Sequence, residues 1–370
     1  PDSPLNVNLA GPGQPLQLAA LTPPRPLIEP PPSFDAARLQ AHVQWLAAPE
    51  RQGRGFGSPG LEAAANYVRD QFAAAGLRPG GDNGSWFQVF RAKGGPDNTE
   101  VELKNVIAVL PGSDPALKGE AAVISAHYDH LGLGWPGARV DALGKVHPGA
   151  DDNASGVAVL LEVARRFAAG PPPPRTIIFA AWSGEEAGLL GARHFVQNPV
   201  LATDSAREWP FVFSGITAVT GVPTRSISGA SQSSDQQAFI DVGVPGVQLF
   251  TAATGNYHQP TDTADTVDAA GLAKVAVVAT EAVSYLASTD KRPTATGKGV
   301  GAGGEVGRSE RRRVTLGAVP EFGYAGPGIR VDGVVEGSPA AKAGIQKGDV
   351  IVALGGEPVA DLNGFTALLR

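Results

Sequence analysis

Apolar residues in this chain change period along its length. From Ser33, a plausible helix cap, AARLQAHVQWLAAP repeats its apolar positions at helical spacing, and so does the stretch from Pro59 to Ala75, with Gly76 as its stop. NVIAVLP from Asn105 reads as a strand. Ala121–Ala126 (AAVISA) and Thr176–Trp182 (TIIFAAW) are continuous apolar runs of the length and kind buried in a parallel sheet. Between them a helix capped by Ser155 carries Val157, Leu160, Leu161 and Ala164 on one face and ends at Gly170 and the run Pro171–Pro174. Val244–Phe250 predicts a third buried strand, and Ala269–Leu286 a long helix. Strands alternating with helices predict an α/β fold: a mixed, mainly parallel central sheet flanked by helices.

The ends differ in texture. Residues 1–32 are rich in Pro and Leu without periodicity and read as an extended arm. The α/β domain spans 33–290. Residues 291–313 are Gly-rich and charged and read as a linker; 314–370 form a small β-rich unit that stops in a helix-like LNGFTALLR and reads as truncated.

Composition narrows the function. The 370 residues carry a net charge of −6, against a phosphate-binding surface, so no nucleic-acid partner is expected. Arg311–Arg313 is too short a basic run to change this. With no cysteine, thiolate metal sites, disulfides and Cys nucleophiles are excluded. No transmembrane segment is expected. A serine-hydrolase G-x-S-x-G elbow, an H-E-x-x-H helix, a P-loop, and a G-x-G-x-x-G between a strand and a helix are all missing.

The chemistry gathers between His127 and Glu186. His127 and Asp129 follow the AAVISA strand, Glu185 and Glu186 follow the TIIFAAWS strand, and Asp151 and Asp152 precede the capped helix. Open α/β sheets place their sites at the C-terminal ends of strands, so three separated segments converge on one edge. Imidazole and carboxylate without thiolate suit zinc, cobalt or manganese. A pair of metals needs a bridging carboxylate, and a Glu beside a ligand Glu can serve as general base. An Asp two residues from a ligand His can orient it through its second ring nitrogen.

HYDHLG, GADDNASG, GEEAGLLGARHF and YHQPTDTAD, in this order, resemble the motifs of the co-catalytic zinc exopeptidases of the bacterial leucyl aminopeptidase type, in the subgroup with a C-terminal PDZ domain. The resemblance covers Ser33 to about Leu286. It implies an α/β/α sandwich holding two Zn²⁺, with Co²⁺ or Mn²⁺ possible. His127, Asp152, Glu186 and His258 are the implied metal ligands, with Asp152 as the bridge. Glu185 is the implied general base, Asp129 the partner that orients His127, and Asp152–Asn153 a cis peptide. The substrate would be a peptide with a free N-terminus, and the location secreted or in the periplasm or cell envelope. The family supplies one more Asp or Glu ligand from a strand like NLDMVGR after GARHFVQNP. Here the chain runs VQNPVLATDSAREWPFVF near Leu201 with no such strand, and Asp204 is the nearest carboxylate. Around Asp235, Gln236 stands where the family has His, and Asp235 reads as structural. Two readings stay open: a metallo-aminopeptidase, and a catalytically defective peptidase fold that binds peptides through its PDZ domain.

The remaining candidates read as bland. His42 and His194 are expected to be surface or half-buried helix residues, His130 and His147 to shape a pocket rim, and Asp151 to cap or hydrogen-bond. QGRGFGSPG is expected to be a turn between two helices rather than an anion cradle. In the C-terminal unit, GIRVDGVVEGSPAAKAGIQKGDVIVAL carries the SPA-x-x-AG-x-x-x-GD-x-I pattern of bacterial PDZ modules. That implies a C-terminal peptide ligand added as a strand, with its carboxylate near Phe322–Tyr324.

Overall fold

The computed structural model describes residues 33–138, 140–198, 209–225, 234–251, 254–290, 316–320, 324, 326–334, 337–360, 364–365 and 368–369. The expected arm, the linker, Asp204, Leu201 and Phe322 lie outside these residues.

Helix α1 (Ala36–Leu46) starts two residues later than a Ser33 cap would place it. Asp35 is its cap, its carboxylate accepting from the Ala37 N–H at 2.9 Å. Helix α2 spans Pro59–Ala74, capped by Ser58, with Gly76 past its end at φ 81°. Strands β1 (Arg78–Pro79), β2 (Phe87–Gly94), β3 (Thr99–Leu110), β4 (Ala121–His127) and β5 (Thr176–Trp182) form one sheet. β1 and β2 lie along one edge of β3, which pairs antiparallel with β5; β5 pairs parallel with β4. Among the described residues β4–β5 is the one parallel pairing, so the parallel share is smaller than the apolar runs imply.

Val244–Phe250 is the reason. It forms no strand, and Leu249 and Phe250 are exposed at 39% and 54%. A strand needs a neighbour for its backbone N–H and C=O groups. The outer edge of β4 carries no partner strand among the described residues, and Val244–Phe250 does not pair with it.

Helix α3 (Ser155–Ala168) lies between β4 and β5 in the chain, and its apolar face is buried. Ser155 does not cap it: its hydroxyl donates to the Asp151 carbonyl at 2.7 Å, while Asn153 Oδ1 accepts from the Gly156 N–H at 3.0 Å. The wide helical turn Ala150–Ala154 feeds directly into α3, which leaves the capping to Asn153, two positions before Ser155. Helices α4 (Leu190–Gln197), α5 (Trp209–Thr220), α6 (Gln236–Asp241) and α7 (Ala269–Ser288) complete the domain. By length and composition α7 could cross a membrane. In the fold it packs on α1, α3 and β4, with Ala276, Ala279, Val283 and Ala287 in the main core.

In the C-terminal unit β6 (Ala318–Pro320), β7 (Ile329–Val334) and β8 (Val350–Ile351) form one small sheet, and β9 (Ala353–Leu354) and β10 (Glu357–Pro358) a hairpin. Ser338 caps the short helix α8 (Pro339–Lys342), accepting from Ala341 N–H at 3.1 Å. Ile329, Val359, Phe365 and Leu369 make the local core.

Candidate metal centre

β4 and β5 end level, with His127 paired to Trp182, so HYDH and SGEE leave the sheet at the same height. The Ala150–Ala154 turn, with a cis Asp152–Asn153 bond, and the loop bearing His258 close over that edge. Asp152 faces both ways: its Oδ1 lies 3.3 Å from His127 Nε2 and its Oδ2 lies 3.1 Å from His258 Nε2. Glu186 Oε2 is 3.2 Å from the same His258 nitrogen. The structure thus brings His127, Asp152, Glu186 and His258 together.

The donor geometry fits a cation. His258 Nε2 is buried and makes no hydrogen bond, although two carboxylate oxygens lie within 3.2 Å. Donors about 2.0–2.2 Å from one tetrahedral zinc are spaced roughly 3.3 Å apart. His258 Nε2 has that spacing to both Asp152 Oδ2 and Glu186 Oε2, and His127 Nε2 has it to Asp152 Oδ1. Two carboxylate oxygens thus flank His258 Nε2, and one flanks His127 Nε2.

Asp129 acts differently from expectation. Its Oδ1 is 3.8 Å from His127 Nδ1, beyond hydrogen-bond range, and the nearer acceptor is its own backbone carbonyl at 3.3 Å. The carboxylate instead accepts from the N–H groups of Glu185 (3.1 Å) and Glu186 (3.3 Å). The strand-end turn Ser183–Glu186 presents these two successive N–H groups, and the bare H-x-D spacing does not reveal it.

His130 is central, not peripheral. It is buried at 1% exposure, and its Nδ1 is 2.8 Å from Glu186 Oε1. His130, Asp152 and Glu186 offer donor atoms within 4.8 Å of one another and could by themselves hold an ion. The 2.8 Å contact is a hydrogen bond, however. It leaves Nδ1 4.0 Å from Asp152 and turns Glu186 Oε2 toward His258, so His130 acts as the orienting partner of a ligand. His147 is fully buried and holds the 131–148 loop, its N–H donating to the Gly132 carbonyl at 2.8 Å. His194 stacks on Phe90 at 4.8 Å. His42 is buried beside Tyr67 and Glu162, away from the centre.

Two supports went unseen in the sequence. Asp262, in TDTAD, accepts from the N–H groups of Asp151 (2.8 Å) and Asp152 (3.1 Å). Arg54, in QGRGFGSPG, is wholly buried and donates to the carbonyls of Tyr128, Leu46, Pro148 and Gly149 at 2.7–2.8 Å. The Gly-rich turn exists because backbones meet there: a Cβ on Gly53 would lie 2.2 Å from the His147 carbonyl oxygen.

The electrostatics follow from this crowding. Burial alone would lower the His258 imidazole, but Glu186 and Asp152 override it and push it up to about 10. Burial would raise Glu186, yet His258 and His130 hold it at about 2. Asp152 is held well below the carboxylate range by His127 and His258 against the same burial. Glu185 goes the other way: burial, then the charges of Asp235, Glu186 and Asp152, push it well up, opposed by His127. Burial lowers Arg54 to about 10, against Asp129, Asp262, Asp152 and Glu186, whose negative charge it faces.

Residues 105–208 and 215–283 match the model of peptidase family M28. This stretch is similar to peptidase family M28. Residues 330–370 match a PDZ domain. The chain is 27% identical over 251 residues to leupeptin-inactivating enzyme 1 of Streptomyces exfoliatus, covering 60% of this chain and 51% of that protein. It is 33% identical over 151 residues to the alkaline phosphatase isozyme conversion protein of Escherichia coli, covering 40% and 41%. The chain thus spans about half the length of such relatives, or less. In fold it is similar to a zinc-dependent exopeptidase from Parabacteroides distasonis (TM-score 0.54, 18% identity, 68% of this chain and 98% of that one). An aminopeptidase from Aneurinibacillus (0.51, 17%, 70% and 95%) and a glutaminyl cyclase from Porphyromonas gingivalis (0.54, 20%, 68% and 98%) share the fold too. At these identities the likeness is one of fold.

Proposed function

We propose that this M28-like domain is a zinc-dependent aminopeptidase. The observation that supports it most is the convergence of Asp152, Glu186 and His258 at 3.1–3.2 Å around an imidazole nitrogen with no hydrogen bond. Asp152, Glu186 and His258 would hold one ion, and His127 with the other oxygen of Asp152 a second. Cobalt or manganese would suit the same donors. Bound there, zinc supplies Lewis-acid polarisation of the scissile carbonyl and a more acidic water.

The chain's own residues do the rest. Glu185 projects from the same turn as Glu186, with its N–H fixed by Asp129. Its raised proton affinity suits a general base that takes a proton from the attacking water and returns it to the departing amine. Asp129 sets the direction of both Glu side chains, and His130 sets Glu186 alone. Asp262 and Arg54 keep the Asp152 turn from relaxing. The substrate would be a peptide with a free N-terminus, and the PDZ domain would take a C-terminal peptide by strand addition. A secreted or envelope location follows the family resemblance and is part of the same proposal.

A leucyl chromogenic amide tested beside its N-acetylated form checks this reading. The free amine should be hydrolysed and the acetylated form left intact. Hydrolysis of neither by the zinc-loaded chain would favour the alternative, a peptide-binding protein built on a defective peptidase fold.

A further inference from the structure

We propose that Asn105 is a positioning residue for the two glutamates: its side-chain amide clamps both ends of the loop Ser183–Gly191, which carries Glu185 and Glu186. This rests on the reading of Glu185 as general base and Glu186 as cation ligand. Asp129 fixes the tip of that loop through the N–H groups of Glu185 and Glu186. Asn105 fixes its neck, from β3.

The β3–β5 ladder ends at Val106 opposite Ala181. Asn105 is the next residue along β3, and its Oδ1 accepts from the Ser183 N–H at 3.3 Å, just beyond the ladder. Its Nδ2 donates to the Gly191 carbonyl at 2.9 Å. The backbone closes the same neck, the Gly191 N–H donating to the Ser183 carbonyl at 2.9 Å. Asn105 Nδ2 also donates to Oε1 of Gln88, its direct partner across β2, at 3.0 Å. An oxygen facing an N–H and a nitrogen facing two acceptor oxygens leave the amide a single orientation. Gly191 permits the approach: a Cβ there would lie 2.2 Å from Asn105 Oδ1 and 2.6 Å from the Ser183 carbonyl oxygen.

Packing alone would not select this side chain. Asn105 is wholly buried, and Val106, Ile107 and Ala108 after it on β3 are buried and apolar. A buried amide is costly unless its polar atoms find partners. Here those partners are two backbone groups of one loop and Gln88, itself buried, whose Nε2 donates to the Asn198 carbonyl at 3.1 Å. The network therefore ties the loop to β2 and to the residue that ends α4. With the neck held from β3 and the tip held by Asp129, the backbone of neither glutamate can shift without breaking a hydrogen bond.

Two measurements on the full chain test this. In the chelator-stripped protein, amide hydrogen exchange of residues 184–190, read against that of α7, should be about tenfold faster or more in Asn105→Ala than in the parent. With saturating zinc, kcat for the leucyl amide should fall about tenfold or more while KM stays within about twofold. Val68→Ala, a cavity in the buried face of α2, should lower the Tm and cause neither change. Asn105→Ser, which offers one polar atom where the clamp needs two, should fall between parent and Asn105→Ala, and carries the test if Asn105→Ala does not fold. Unchanged exchange, an unchanged kcat, or an equal kcat loss in Val68→Ala would each overturn the proposal. A parent with no turnover would overturn the peptidase reading and the positioning role with it; exchange that still rises in Asn105→Ala would mark that failure as belonging to the reading and not to the clamp.

Discussion

The Asp262 carboxylate holds the backbone N–H of Asp152 at 3.1 Å, and that of Asp151 at 2.8 Å. Asp262 lies four residues past His258, so one loop both contributes a ligand-type imidazole and fixes the turn that carries its partner carboxylate. The Asp152 and His258 halves of the seat are thereby coupled through backbone rather than through the ligands themselves.

Breaking that coupling should loosen the seat before it unfolds the domain. Asp262→Ala is expected to weaken zinc binding about 10–100-fold, as loss of a ligand's supporting partner typically does. Asp262→Asn, which keeps one acceptor oxygen, should fall between. Competition with a chromogenic zinc chelator reads both. Equal affinities in all three proteins would assign Asp262 a purely structural part.

Glu185→Gln removes the base and leaves the Glu185 N–H on Asp129 untouched. Turnover of the leucyl amide should fall by about 10²–10⁴-fold, with zinc content unchanged. A variant of undiminished rate would dismiss Glu185 from proton transfer.

Gly149, in the turn that carries Asp152, has no room for a side chain. Its φ is +61°, and a Cβ there would sit 2.4 Å from the Asp152 carbonyl oxygen and 2.5 Å from His130 Cγ. Gly149→Ala should cost about 1–2 kcal/mol from the backbone alone and more from the displaced turn, with weakened zinc affinity alongside. Thermal denaturation and the same chelator competition report the two effects. A variant that matched the parent in both would mean that the turn gives way freely.

Far from the centre, Glu162 is buried among Arg38, Arg165 and His42. Burial would raise it from 4.5, but His42, Arg165 and Arg38 hold it at about 2. Because the folded value lies below the unfolded one, its contribution is fully present above about pH 4.5 and is lost as pH falls toward 2. The contribution is at most about 3 kcal/mol, reduced because the guanidinium groups of Arg38 and Arg165 are half exposed. Denaturant unfolding from pH 6 to pH 3 should show a smaller acid loss in Glu162→Gln than in the parent. Parallel curves would refute the assignment.

Much of this was legible because the ligand-type residues sit at strand ends. AAVISA and TIIFAAW declare themselves by continuous apolarity, and the residues after them must emerge on one edge. The direction of a side chain within a loop carries no such signature. The sequence therefore reads His130 as a rim residue although it lies against Glu186, and pairs Asp129 with an imidazole although it accepts from two N–H groups. Arg54 hides in a Gly-rich turn, where composition signals close backbone approach but not the cation that approach encloses. Val244–Phe250 has the apolar content of a strand, but strand formation depends on a neighbour that local pattern cannot supply.

The central claim is that Asp152, Glu186 and His258 hold the ion that makes this domain a peptidase. The most direct measurement is leucyl-amide hydrolysis by the chelator-stripped protein as zinc is returned, in the parent and in His258→Ala. The account predicts no hydrolysis without metal, recovery in the parent, and at least a hundredfold less recovery in His258→Ala at the same zinc concentration. Hydrolysis that survives stripping, or equal recovery in His258→Ala, would contradict it.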